Sequence, residues 1–138
     1  MIEISESQKE LKVQQGIRQA EDRLVSAIER ALNDRSSYGD LEESQFRNLV
    51  RVADTTESAE VIKNFIRYQV GRDRKWGRGK NALAAKIIQD IDDMIKGEAQ
   101  GIAKKAKVEQ FQPIWLELIR RYLGYGVRHL TYLRKGEL

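Results

Sequence analysis

The chain has 138 residues, with 25 Lys and Arg against 21 Asp and Glu, no cysteine, one proline and one histidine. That length suits one domain, residues 1–138, with a core of useful size, and the missing cysteines exclude disulfides and thiolate metal sites. With His129 as the sole histidine, a histidine-rich metal site is excluded, and any Ser-His-Asp arrangement has to use that residue. The start Met1-Ile2-Glu3-Ile4-Ser5-Glu6 lacks the basic-then-apolar layout of a signal peptide. No run reaches the ~18 apolar residues of a spanning helix. A soluble, cytoplasmic protein without membrane contact is the expectation.

The elements follow in chain order. Residues 6–33 read as one long amphipathic helix, with Val13, Ile17, Ala20, Leu24, Ala27, Ile28, Ala31 and Leu32 recurring at helical spacing on one stripe. Residues 33–40 form a loop rich in Asn, Asp and Ser. A second helix is expected from about Asp40 to Ala53, with Leu41, Phe46, Leu49, Val50 and Ala53 inward. Asp54 and Glu57 have the spacing of a capping box for the next helix. That third helix carries Ala59, Ile62, Phe65, Ile66 and Gln69 inward and ends near Gly71. Residues 71–80 are a basic loop outside the core. A fourth helix spans about 81–96, with Gly97 at its C-cap. Residues 97–110 read as a mobile connection or a weak short helix. The last helix, about 113–135, opens at Pro113, which suits a first turn. No strand pattern occurs, so the expected fold class is all-α, a bundle of about five helices.

Charge is unevenly distributed. Residues 1–60 carry 8 Lys and Arg against 13 Asp and Glu, and residues 61–138 carry 17 against 8, so the halves sum to −5 and +9. Such segregation points to a partner of opposite charge at one end. Its strongest local expression is Gly71-Arg72-Asp73-Arg74-Lys75-Trp76-Gly77-Arg78-Gly79-Lys80. Arginine presents a planar donor fork matched to phosphate, and an aromatic among arginines can stack on an unpaired base. Arg72, Arg74, Lys75, Arg78 and Lys80 are therefore the expected phosphate contacts, with Trp76 as a stacking residue. The alternative is a solvated loop with Trp76 folded back onto the core. On the last helix, Arg121, Arg128 and Lys135 recur every seven residues and make a second basic stripe.

Two catalytic readings and one metal-site reading, on Asp90, Asp92 and Asp93, fail on spacing. A phosphate loop ending at Gly79-Lys80 needs glycine where Arg74 stands and Ser or Thr where Asn81 stands. A helical ribonuclease pairing an arginine with His129 needs a shorter spacing than the seven residues between Arg121 and His129. Asp90, Asp92 and Asp93 do not share one helical face, and they read as a solvated acidic patch. No cofactor and no enzymatic activity are expected.

Three stretches occur in order: Ser44-Gln45-Phe46-Arg47-Asn48-Leu49, Tyr68-Gln69-Val70-Gly71-Arg72-Asp73, and the nine residues from Arg121 to His129 around Gly124-Tyr125-Gly126. Together they resemble the small subunit of type III CRISPR-Cas effector complexes. The basic insert 74–80 is longer than that pattern has, and the helix 6–33 has no counterpart in it. The resemblance implies a non-catalytic helical subunit that stacks in several copies along a filament, beside a guide RNA, its target nucleic acid and other effector-complex subunits. Arg72 carries over as a backbone contact, while Tyr68 and Gln69 order the helix end. A helical adaptor for an acidic protein partner is the competing expectation.

Overall fold

The computed structural model describes residues 5–136 and is built of five helical rods without strands among those residues. The first, α1 (Glu6–Asn33), starts in a reciprocal cap: the Ser5 hydroxyl accepts from the Gln8 N–H at 3.2 Å and the Gln8 side chain accepts from the Ser5 N–H at 3.0 Å. Its buried residues are the eight of the expected stripe. A 3-10 turn, Arg35–Ser37, follows.

The second rod, α2 (Glu43–Thr55), begins later than expected because Leu41 is already committed to the core ahead of the helix. Ser58, rather than Asp54, caps α3 (Ala59–Arg72), accepting from the Val61 N–H at 3.3 Å, while Asp54 remains within α2. The fourth rod is α4 (Leu83–Asp90), which passes through a π turn, Ile91–Ile95, into α5 (Lys96–Ala106). Residues 97–106 are thus helical. Gly97 lies inside the rod, and Ala99, Ile102, Ala103 and Ala106 supply a buried stripe whose small side chains give a weak hydrophobic signal. The true stop is Lys107, in the left-handed region at φ 58°. The last rod, α6 (Gln112–Lys135), packs against α1, α2 and α5 and forms the centre of the bundle.

One hydrophobic core joins all five rods. Tyr122 lies fully within it and donates to the Asp90 carboxylate at 2.7 Å. Asp90 is therefore buried, with Lys86 at 3.5 Å, and is not part of a solvated acidic patch. Burial, and then the Asp90 charge, push the Tyr122 phenol well above its ordinary value. Lys63 is also buried, held at 2.8 Å by both Glu60 and Asp92. Burial pulls its ammonium down, but the two carboxylates outweigh that and leave it above its ordinary value. No helix among the described residues is long and apolar enough to cross a membrane.

The Gly124-Tyr125-Gly126 step splits into two roles. A Cβ at Gly126 would lie 2.6 Å from Phe46 Cζ and 3.0 Å from Ile28 Cγ1, so α6 meets α1 and α2 there at a separation only glycine permits. At Gly124 nothing lies within 4 Å of such an atom. Overpacking costs about 1–3 kcal/mol, against about 1 kcal/mol gained by replacing a helical glycine with alanine. Urea denaturation should therefore order the variants Gly124→Ala above wild type above Gly126→Ala, with about 2 kcal/mol between the extremes. Equal stability of the two variants would contradict the close approach at Gly126.

Candidate nucleic-acid interface

The site is assembled where α3 ends, the 73–82 loop crosses, and α4 begins. The loop is fixed by its own hydrogen bonds. The Asp73 carboxylate accepts from the Lys75 N–H at 2.9 Å, the Gly77 N–H donates to the Arg74 carbonyl at 3.1 Å, and the Ala82 N–H donates to the Gly79 carbonyl at 3.2 Å. Two further bonds tie it to its surroundings: the Gly39 N–H to the Lys75 carbonyl at 3.0 Å, and the Ala84 N–H to the Trp76 carbonyl at 3.1 Å. Gly77 has φ 79°, and a Cβ there would come within 2.1 Å of the Ser37 carbonyl oxygen. Only glycine fits such a position.

Trp76 is the principal correction to the expected site. It is 1% exposed and its ring centroid lies 5.3 Å from that of Phe46, tilted by 40°. A side chain sealed in the core offers no face to a base, so Trp76 is an anchor under the loop and not a stacking residue. Burying its large ring offsets part of the entropy of ordering the glycine-rich segment, beside the loop's own hydrogen bonds.

With Trp76 turned inward, the cations around it point outward. Arg72, Arg74, Arg78 and Lys80 are exposed and Lys75 is half-buried. None of the five forms an ion pair with a carboxylate among the described residues; Asp73, the only acid in the decade, is occupied by the Lys75 backbone. Two shallow hollows flank the loop. One, of about 330 Å3, lies between the loop and residues 36–39, with Arg74, Arg78 and Asn81 on its wall. The other, of about 460 Å3, is lined by Arg30, Asp34, Lys80 and Lys86. Arg30 and Lys86 escaped the sequence reading because only the tertiary fold brings the end of α1 beside the start of α4.

The second basic stripe does not survive as expected. Arg121 is held between Glu117 at 2.7 Å and Glu21 at 2.8 Å, chiefly by the Glu117 hydrogen bond, which lifts its guanidinium further above an already high value. Lys135 pairs with Glu43 at 3.0 Å. Arg128 is the one of the three that makes no ion pair among the described residues; it is exposed and lies over the Tyr125 ring, 5.9 Å from its centroid. The other arginines of α6 serve as staples. Arg120 donates to the Ala53 and Thr56 carbonyls at the end of α2, and Arg134 donates to the Leu41 and Gly39 carbonyls. His129 lies 2.7 Å from the Asn33 side-chain oxygen and 3.6 Å from Glu29, which gives the ring a structural role at the α1–α6 contact. Asp92 pairs with Lys63, and among the described residues no three His, Cys, Asp or Glu side chains converge in a group fit to hold a metal.

Replacing Trp76 separates anchoring from ligand contact. Trp76→Ala should destabilise the fold by about 3–5 kcal/mol, the usual cost of emptying a buried aromatic site, and Trp76→Phe by much less, both read by thermal unfolding. Unchanged stability in Trp76→Ala would show that the ring is not an anchor.

Comparison with protein-family models, with curated proteins and with solved structures gives no match to this chain.

Proposed function

We propose that this chain is a non-catalytic, RNA-proximal structural subunit of a ribonucleoprotein, holding a nucleic-acid backbone on the 72–80 surface. The observation that carries the reading is that Arg72, Arg74, Arg78 and Lys80 stand exposed on a hydrogen-bonded loop with no carboxylate partner among the described residues. Elsewhere the fold engages many of its cations internally: Lys63, Arg120, Arg121, Arg134 and Lys135 are all bound to carboxylates or carbonyls. Leaving four neighbouring cations free in one segment gives phosphates a place to displace counterions. Lys75 adds charge from a half-buried position, and Arg128 adds one exposed guanidinium on α6.

The resemblance of the three sequence stretches to type III CRISPR-Cas small subunits supplies the setting: guide RNA and target nucleic acid as ligands, other effector subunits as neighbours, and copies of the chain stacked in a filament. A helical adaptor for an acidic protein is the second reading, favoured by the exposed Val61 and Tyr68 on the outer face of α3. Nuclease treatment before a pull-down separates the two, because an adaptor keeps its partner.

Binding of single-stranded RNA titrated against salt should give a log–log slope of about −3, as four phosphate contacts at about 0.7 each require. The combined variant Arg72→Glu, Arg74→Glu, Arg78→Glu should lose most of that slope and keep the wild-type melting temperature, since these side chains hold nothing in the core. A slope near zero in the wild type would refute backbone binding, and a melted variant would mean that the cations hold the loop together.

A further inference from the structure

Tyr68 is the most exposed aromatic side chain of the described residues, at 57%. It stands one helical turn before Arg72, whose guanidinium carbon lies 5.6 Å from the centre of its ring. The Phe65 ring supports it from one side, with centroids 6.2 Å apart and planes at 44°. Arg67 beside it is exposed and makes no ion pair among the described residues. Its neighbour Gln69, by contrast, is buried and belongs to the inner face of α3.

We propose that Tyr68 and Arg72 form a stacking platform for one unpaired nucleobase, so that the surface prefers single strands to duplex. The proposal rests on the backbone-binding reading and assigns that site its ligand class. A phenol ring and a guanidinium plane both stack on the face of a base, and bases inside a duplex have no free face to offer. Position supports the role. Arg72 is the last residue of α3 and opens directly into the loop that carries Arg74 and Arg78. A strand whose phosphates lie on that loop brings a base within reach of the ring one turn earlier. Nearby cations without carboxylate partners draw the strand in, and Phe65 limits the motion of the ring, so less freedom is lost on stacking.

The outer face of α3 also fits a competing occupant. Val61, 47% exposed, Phe65 and Tyr68 follow one another at spacings of four and three, an apolar stripe that a partner helix could cover. Nucleic acid is favoured because the aromatic end of this stripe is the cationic end, with Arg67 and Arg72 on either side of Tyr68, whereas Glu57 and Glu60 flank the Val61 end.

The test is the affinity of a labelled single-stranded RNA and of a duplex of the same sequence for the full chain and for Tyr68→Ala, Tyr68→Phe and Val61→Ser. Stacking on one base predicts that Tyr68→Ala lowers the ratio of single-strand to duplex affinity by about 5- to 150-fold. It also predicts that Tyr68→Phe restores most of the loss and that Val61→Ser leaves the ratio at its wild-type value. An unchanged ratio in Tyr68→Ala, with the salt dependence of binding intact, would overturn the platform and leave the backbone reading standing. An equal loss in Val61→Ser would show the stripe to be a packing face for protein and overturn it too. Wild-type protein that binds neither RNA would overturn both readings.

Discussion

The seating of Trp76 against Phe46 is the contact on which the shape of the cationic 72–80 surface depends. Without a large apolar anchor, a decade with three glycines and five cations would repel itself into a solvated chain, because nothing in it repays the entropy of ordering. Trp76 carries the middle of the segment into the core, and the bonds from Gly39 and Ala84 hold the backbone on either side of it. The cations adjoining it are then displayed from a defined backbone. Phe46 links this anchor to the rest of the bundle, since the same ring touches the glycine step at Gly126 of α6. The close helix approach and the loop conformation thus share one aromatic contact.

A second theme is how the fold divides its cations. Basic residues on α6 are largely consumed as structural donors, closing the end of α2, bracing the 39–41 loop, or pairing with Glu21, Glu117 and Glu43. Those of the 72–80 segment have no such carboxylate partners among the described residues. Charge counting along the chain places the two groups on equal terms, yet only one keeps its donors free. An arginine whose planar fork already meets two carbonyls has no competitive reason to leave them for a solvated phosphate.

Much of the fold was legible in the sequence. Periodicity located α1 and its eight buried residues because a long stripe of Ile, Leu, Val and Ala has no reading other than a helix packed on one side. The α5 half of the fourth rod was harder: its buried stripe is mostly alanine, and Gly97 and Gly101 look like breaks when they are merely exposed positions. The π turn leaves no trace in composition. The Trp115 indole donates to the Ile91 carbonyl at its start, a contact that appears only once α6 is packed. At the candidate site, the sequence located the cations but reversed the two aromatics. Trp76, surrounded by charge, looked exposed and is buried. Tyr68, which looked like part of a helix end, is exposed, and its offset from the inward positions Ile62, Ile66 and Gln69 was the available signal.

These observations describe a helical bundle that commits one tryptophan to hold a cationic loop in a fixed shape. Amide hydrogen exchange tests that most directly. If Trp76 pins the loop, the Gly39, Gly77 and Ala84 amides exchange as slowly as amides in the buried turns of α2 and α6, despite lying at or beside a glycine-rich segment. Exchange of these three at the rate of open chain would contradict the account, because the cations would then have no fixed arrangement to present.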